Sequence, residues 1–282
     1  MKKANNSQAA LLGLQHLLAM YSGAVAVPLL IGTALGFNTE QMTYLVSIDI
    51  FMCGLATLLQ LMRNRYFGIG LPVVLGCAIQ AVEPLKMIGS QFTIQTMYGA
   101  IIVAGIFVCL VSGQFSKVKR LFPPVVTGTL ITVIGLTLIP IAVQNIGGGN
   151  ASAKDFGSLT NISLGFVTVI LILAIQVFAK GFLSSIAVLL GLVSGSLVAA
   201  ALGLVSLAPL HEAPWFHVPQ PFYFGVPHFE WSSSVTMIII ALVSMVESTG
   251  VYFALGDILN KKITEKDLKL GYRAEGMAVI LG

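Results

Sequence analysis

Four ionisable side chains lie in or beside long apolar stretches of this sequence: His16, Asp49, Glu247 and Glu275. Such a group costs about 2.5–3.5 kcal/mol at the centre of a bilayer on insertion scales, so it faces protein or water rather than lipid. Glu247 is the most informative, because residues 233–255 around it contain no basic residue. A buried lone carboxylate either holds a proton or accepts hydrogen bonds from a bound molecule. Both properties are typical of the sites of membrane transporters. The alternative is a structural carboxylate that neighbouring backbone and hydroxyl groups satisfy.

The other three groups each allow more than one interpretation. His16 lies in the first apolar stretch, where an imidazole could relay protons, bind a ligand or fix a neighbouring polar side chain. Asp49 lies near the outer end of its stretch, within reach of water, and we interpret it as structural. Glu275 follows Arg273 at the start of the last apolar stretch. From its position alone, it could be an ordinary charge at the cytoplasmic end of a helix.

A short apolar segment, residues 70–82, is the second indication of a site. It is interrupted by Pro72 and Gly76 and closed by Glu83. Transporters use such segments near the membrane midplane because unwound backbone offers free N–H and C=O groups to a ligand. Helix N-termini at such breaks also favour electronegative groups. Together with Glu247, the segment indicates a polar, planar, hydrogen-bonding substrate.

Membrane helices are the elements that must position these groups. Of the 282 residues, 56% are apolar and 9% are charged, against about a quarter charged in soluble domains. Windows of about 19 residues predict the following spans: 11–32, 44–62, 97–113, 124–142, 162–179, 182–208 and 233–255. A further stretch begins near Tyr272. The predicted fold class is an all-α polytopic membrane protein, not a soluble enzyme.

The basic residues predict the orientation of the chain. If residues 70–82 cross the membrane and the N-terminus is cytoplasmic, 13 of the 15 lysine and arginine residues lie inside, as the positive-inside rule requires. Lys86 and Lys154 then lie outside. Without that crossing, the basic residues of 117–120 would lie opposite Arg63 and Arg65. The predicted topology therefore has eight crossings and the start of a ninth.

Three cysteines, Cys53, Cys77 and Cys109, fall singly in apolar stretches. Their spacing gives neither a metal-binding pair nor a disulfide framework, and we interpret them as small buried apolar residues. Neither a nucleophile–base pair nor a metal-ligand cluster is present in the sequence, so we expect no catalytic and no metal site. A channel, whose pore needs rings of carbonyls or charges, stays open as an alternative to a transporter.

An aromatic, proline-rich loop, residues 209–231, lies outside the predicted spans. It contains Trp215, Phe216, Phe224 and Trp231, among others. Such a composition suits a belt at the level of the lipid headgroups or a lid over the protein. We favour the belt over a cage for a ligand.

Six segments carry a resemblance to a known family: 15–32, 49–60, 70–76, 123–128, 135–140 and 247–257. They resemble the nucleobase-cation symporter-2 family, also called nucleobase-ascorbate transporters. The last segment looks like the eighth helix of the bacterial xanthine permeases of that family. The resemblance covers essentially the whole chain.

This resemblance implies fourteen membrane segments in two inverted repeats of seven, divided into a core and a gate domain. Residues 1–232 then form the first repeat, segments 1–7 with a broken third segment. Residues 233–282 begin the second repeat, with segment 8 and an incomplete segment 9. The chain is on this view the N-terminal portion of a transporter and lacks the tenth segment, which meets the third at the substrate. We expect such a portion to insert into a membrane but not to transport.

The resemblance also implies roles for single residues. Glu247 matches the glutamate that holds the nucleobase through ring N–H groups, and His16 matches a first-helix histidine that supports the hydrogen-bond network of the site. Glu275 matches an acidic position of the ninth helix that is associated with site organisation or proton coupling. Val251 stands where some members carry aspartate, which leaves the finer purine specificity open. The predicted substrate-binding residues are Glu247, Gln80, Cys77 and Ala78.

The function that the resemblance implies is import of a purine base by proton symport across a bacterial cell membrane. Xanthine is the first choice of substrate, with urate or uracil as neighbours, and sodium is the alternative coupling ion. A neutral nucleobase presents N–H donors and C=O acceptors that a carboxylate and backbone amides complement. No cofactor is expected. The predicted partners are the nucleobase, the lipid bilayer and a second copy of the chain in a homodimer, with no nucleic acid.

Overall fold

The computed structural model describes residues 6–117, 124–149, 153–205 and 218–282, and within these ranges the regular structure is helical, without strands. In chain order the helices are α1 (Asn6–Ala34), α2 (Thr39–Leu61), α3 (Val82–Gln91), α4 (Ile94–Phe115), α5 (Pro124–Ile146), α6 (Leu159–Phe178), α7 (Phe182–Ser185), α8 (Ala187–Ala201), α9 (Trp231–Ile258) and α10 (Glu265–Leu281). The predicted all-α membrane class is confirmed.

Five helices in the described part of the chain are long and apolar enough to cross a membrane: Leu12–Ala34 of α1, α2, α4, α6 and α9. The predicted span 124–142 also lies within one helix, α5. The predicted span 182–208 is divided between α7 and α8 and its helix ends at Ala201. The basic residues Lys2, Lys3, Lys119 and Arg120 lie outside the described residues, so the orientation of the chain stays a prediction.

The chain forms two compact units. The first unit consists of Met1–Gly23 and Thr132–Pro214, and the second unit consists of Ala24–Ile131 and Trp215–Gly282. The predicted division into two repeats at residue 232 is based on the symmetry of membrane segments, whereas these two units are defined by their internal contacts. It therefore stays a prediction.

In the first unit, α6 packs against α8. The contacting face of α8 carries a small buried residue at every fourth position: Ala187, Gly191, Gly195 and Ala199. A Cβ atom added at Gly191 would lie 2.0 Å from Cγ1 of Ile172. Small residues at this spacing allow membrane helices to approach closely and gain van der Waals contact.

In the second unit, α10 lies along α4 and also contacts α2, while α9 lies along α4. The crossing of α4 and α10 brings two glycines together. A Cβ atom added at Gly105 would lie 2.8 Å from the carbonyl oxygen of Gly276, and one added at Gly276 would lie 2.8 Å from the carbonyl oxygen of Gly105. The two backbones are therefore in direct contact at this point, and neither position has room for a larger residue.

We expect Gly276→Ala to destabilise the chain by about 1–3 kcal/mol, the usual cost of overpacking. The added methyl group would meet backbone atoms of α4, which cannot rotate away. Gly54→Ala in α2 is the matched control, because a Cβ added there meets no heavy atom within 4 Å apart from its chain neighbours and the adjacent backbone of its own helix. Its gain in helix propensity is at most about 1 kcal/mol. The midpoint of thermal unfolding, recorded for each purified variant in detergent, measures the change in stability. Equal midpoints for the two variants would contradict the close contact.

Helix α9 begins after a charged cap. The Glu230 carboxylate accepts hydrogen bonds from the backbone N–H groups of Ser233 and Ser232. These bonds satisfy donors that have no partner within the helix and place a negative charge at its N-terminus. The bonds from Ser233 and Ser232 lower the pKa of Glu230 to about 2 from its ordinary 4.5.

This cap predicts an acid-sensitive contribution to stability. Because the pKa of Glu230 is lower in the folded chain, its contribution is complete above pH 4.5 and is lost as the pH falls toward about 2. We expect Glu230→Gln to be less stable than the wild type at neutral pH, and the difference to shrink across that range. Thermal unfolding at a series of pH values measures it. A difference that stays constant with pH would contradict the cap.

Candidate functional site

A cavity of about 330 Å³ lies inside the second unit. Its walls come from α1, α2, α3, α4, α9, α10 and the chain between α2 and α3. The polar residues on its walls are Asp49, Cys53, Cys77, Tyr98, Ser244, Ser248 and Glu275. A mainly apolar cavity of this size with a few polar groups is typical of a small-molecule site.

The interrupted segment supplies one wall of this cavity with backbone that is not helical. Between the end of α2 at Leu61 and a 3₁₀ turn at Ile79–Ala81, the chain forms no helix. The segment is nevertheless anchored, because the N–H of Gly70 donates to the carbonyl of Gln60 and the N–H of Leu75 donates to the Thr57 hydroxyl. Gly76, Cys77 and Ala78 then line the cavity. The predicted interruption of this segment is confirmed, whereas its crossing of the membrane stays a prediction.

A glycine is required where this segment leaves α2. Gly68 has a φ of +86°, a region that side chains disfavour, and a Cβ atom added there would lie 2.6 Å from the carbonyl oxygen of Leu59. Its N–H donates to the carbonyl of Leu270 in α10. The tight turn therefore ties the start of the interrupted segment to α10.

Glu247 and Gln80 meet although they are far apart in the sequence. The Gln80 Nε2 atom donates to Glu247 Oε2 at 3.0 Å, and both side chains are partly buried. Each is adjacent in the chain to cavity-lining residues, Ser248 and Ala81 respectively. The fold thus brings two of the predicted substrate-binding residues together, and it places the other two, Cys77 and Ala78, on the cavity wall.

Glu275 also lies on the cavity wall, and it is joined to a buried chain of polar groups. The Tyr252 hydroxyl donates to Glu275 Oε1 and accepts from Gln60 Nε2. Gln60 and Tyr252 are fully buried. The network connects α10, α9 and α2. Gln60 and Tyr252 were not predicted from the sequence, because both are uncharged at neutral pH and carry no local signal of a site.

The interpretation of Glu275 as a charge at a helix end is wrong. Helix α10 begins at Glu265, before the apolar stretch, because Thr264 and Asp267 form a capping box that starts it. The first turn is held further by a salt bridge of 2.6 Å between Arg63 and Asp267. Glu275 consequently lies in the interior of α10, facing the cavity.

Asp49, Cys53 and Cys77 form a cluster on the cavity wall. Their possible ligand atoms all lie within 4.8 Å of one another. Cys53 is buried, but Cys77 is exposed and Cys109 is half-buried. The interpretation of all three cysteines as buried apolar residues is therefore wrong for Cys77, which is exposed on the cavity wall.

The described part of the aromatic loop, residues 218–230, packs against Tyr44 of α2 and Tyr98 of α4. The Tyr223 ring stacks on Tyr44 with centroids 3.8 Å apart, and the Phe224 ring stacks on Tyr98 with centroids 5.7 Å apart. The Tyr44 hydroxyl both donates to and accepts from the backbone of Gln220. The contacts of Tyr223, Phe224 and Gln220 agree with a lid over the protein. Phe222 and Trp231 are exposed, as a belt at the lipid headgroups requires. Trp215 and Phe216 lie outside the described residues.

His16 is not among the residues that line the cavity. It is exposed on α1 and belongs to the first unit, whereas the cavity residues named above belong to the second unit. Its supporting role therefore stays a prediction.

Comparison with known proteins gives the same family across the chain. A family profile described as "Permease family" matches residues 7–282. Uric acid permease PucK of Bacillus subtilis (strain 168) is 56% identical over 283 residues, which cover 100% of this chain and 66% of that protein. The xanthine permease of the same organism is 54% identical, covering 96% of this chain and 62% of the relative.

A more distant relative extends the comparison to another organism. Uric acid transporter UacT of Escherichia coli (strain K12) is 40% identical over 275 residues, which cover 96% of this chain and 57% of that protein. The chain thus spans 57–66% of the length of these three relatives. They are named as permeases and transporters, not as enzymes.

Proposed function

The chain belongs to the Permease family, and from this premise we propose that it is the part of a proton-coupled importer that holds a purine nucleobase. We take xanthine as the substrate, with urate and uracil as the competing candidates. The proposed setting is a bacterial cell membrane, with the N-terminus in the cytoplasm and the transporter a homodimer. The family membership confirms the resemblance found in the sequence.

The hydrogen bond between Gln80 and Glu247 is the observation that carries this proposal. It joins a carboxylate and an amide next to a cavity large enough for a small planar molecule. A purine that carries neighbouring ring N–H and C=O groups would exchange this bond for its own, with the carboxylate accepting and the amide donating. Non-helical backbone at Gly76, Cys77 and Ala78 lies on the same cavity wall. It offers further N–H and C=O groups.

The buried network around Glu275 supports proton coupling. A carboxyl group on the cavity wall can take up a proton from the cavity, and the Tyr252 hydroxyl bound to it can reorient as the charge changes. Gln60 fixes the far side of that hydroxyl. A change of protonation at Glu275 would therefore alter hydrogen bonds that connect three helices. This is the kind of coupling that alternating access requires.

Uptake by a chimera tests the proposal. We define the PucK chimera as PucK in which this chain replaces the region that matches it, produced in cells without purine permeases of their own. We expect saturable uptake of labelled xanthine that an uncoupler abolishes and that does not require sodium. Unlabelled xanthine should compete better than urate or uracil, and unmodified PucK is the control for expression.

Each alternative has its own outcome in this assay. Uptake that does not saturate would indicate a channel rather than a transporter. Uptake that depends on sodium would show that sodium, not the proton, is the coupling ion. Stronger competition by urate than by xanthine would identify urate as the substrate. Absence of purine uptake by a chimera present in the membrane would contradict the proposal as a whole.

A further inference from the structure

We propose that Asp49, Cys53 and Cys77 bind a soft divalent cation, Zn²⁺ or Cd²⁺, in the wall of the cavity. The three residues come from two different elements. Asp49 and Cys53 are four positions apart in α2 and so share one face of the helix, and Cys77 comes from the non-helical segment before α3. Nothing in transport of a neutral nucleobase requires two thiols at this place.

Spacing of the ligand atoms fits such an ion. In zinc sites the metal lies about 2.3 Å from sulfur and about 2.0–2.2 Å from carboxylate oxygen, so ligand atoms in a tetrahedral site are about 3–4 Å apart. The possible ligand atoms of this cluster all lie within 4.8 Å of one another. Small rotations of the three side chains would bring the ligand atoms to the separation of about 3–4 Å that the metal requires. Cys77 is in non-helical backbone, which adjusts more easily than a helix.

The side chains already point toward a common centre. Both thiols donate to the Asp49 carboxylate, Cys53 to Oδ2 at 3.9 Å and Cys77 to Oδ1. A divalent cation would take the place of the two thiol protons, which leave to solvent, and would bind two thiolates and one carboxylate. Charge and atoms balance, because one dication enters and two protons leave. No oxidant or other reactant is needed.

The donor set selects the kind of ion. Thiolates prefer zinc and similar soft metals, whereas magnesium and calcium prefer oxygen ligands. Three protein ligands leave one coordination position open for water, and all three residues line the cavity. An ion here would occupy part of the cavity of about 330 Å³ together with its bound water. The site would therefore act as an inhibitory one for any molecule that uses the cavity.

Cadmium titration of the purified 282-residue chain in detergent, with its thiols kept reduced by a phosphine, tests the site. We expect one Cd²⁺ per chain, with the ultraviolet charge-transfer absorbance of cadmium–thiolate bonds, unaffected by an excess of Mg²⁺. Cys53→Ser and Cys77→Ser should each weaken binding at least about tenfold, because even outer-shell partners are worth roughly 10–100-fold. Asp49→Asn should weaken it too.

Cys109→Ser is the matched control, since the Cys109 thiol lies elsewhere, directed at the carbonyl of Arg273 in α10. Its cadmium affinity should equal that of the wild type. Cys77→Ala provides a second variant at the exposed position, and thermal unfolding without metal shows that each variant is folded. Binding that survives Cys53→Ser or Cys77→Ser, binding lost with Cys109→Ser, or no charge-transfer absorbance in the wild type would each overturn the proposal. Because the readout is metal binding alone, its failure leaves the proposed nucleobase transport untouched.

Discussion

Replacing Glu247 with glutamine should lower the affinity of the PucK chimera for xanthine at least about tenfold, because a charge-assisted hydrogen bond is worth about 1.5–3 kcal/mol. Glutamine keeps the shape of the side chain and can still accept from Gln80. It removes the negative charge that attracts ring N–H groups and replaces one accepting oxygen with an NH2 donor. Competition of unlabelled against labelled xanthine measures the affinity, and surface expression shows that the variant is inserted.

The control for Glu247→Gln is Glu83→Gln. Glu83 is an exposed carboxylate on α3 that forms a salt bridge of 2.7 Å with Lys86, and it does not line the cavity. Exposed pairs of this kind contribute about 0–1 kcal/mol, so this variant should bind xanthine like the parent chimera. Unchanged affinity in Glu247→Gln would remove Glu247 from the proposed site.

Replacing Glu275 with glutamine should separate binding from coupling. Glutamine cannot take up or release a proton, and a positioned proton-transfer group contributes roughly 10²–10⁴-fold to a rate. We therefore expect proton-driven uptake by the chimera to fall about a hundredfold or more. Exchange of labelled for unlabelled xanthine, which needs no net proton movement, should persist. Tyr252→Phe should reduce uptake as well, because it removes the hydroxyl between Glu275 and Gln60.

Glu265→Gln gives the comparison within the same helix. Glu265 is exposed in the first turn of α10, so its loss removes one carboxylate without affecting the cavity. This variant should accumulate xanthine normally. Full uncoupler-sensitive accumulation in Glu275→Gln would show that another group carries the proton.

Much of the helical pattern could be predicted from the sequence, because long apolar stretches specify membrane helices directly. The break between α2 and α3 was also predictable, since Pro72 and Gly76 interrupt an apolar segment. The start of α10 was not, because its first turns are polar and hydropathy does not detect them. There a capping box at Thr264 determines the helix start.

Residues that act through distant partners were harder to predict. Gln60 and Tyr252 are uncharged, and nothing local marks them as members of a network with Glu275. Cys53 and Cys77 are separated by the turn out of α2, so only the path of the interrupted segment brings their thiols to one carboxylate. The glycines of the α4–α10 contact resemble any other small residue in an apolar stretch until the facing backbone is known.

The second unit is discontinuous in the chain, and this affects the order in which it can assemble during synthesis. Residues 132–214 are made between its two parts, so α2 and α4 emerge from the ribosome well before α9 and α10. Chains fold from the N-terminus as they are synthesised, and contacts between distant segments form late. Until then the Gly105 face of α4 and the buried amide of Gln60 have no native partner. The nascent protein must therefore keep these surfaces shielded, by lipid, by the translocon or by temporary contacts, until α9 and α10 have been made.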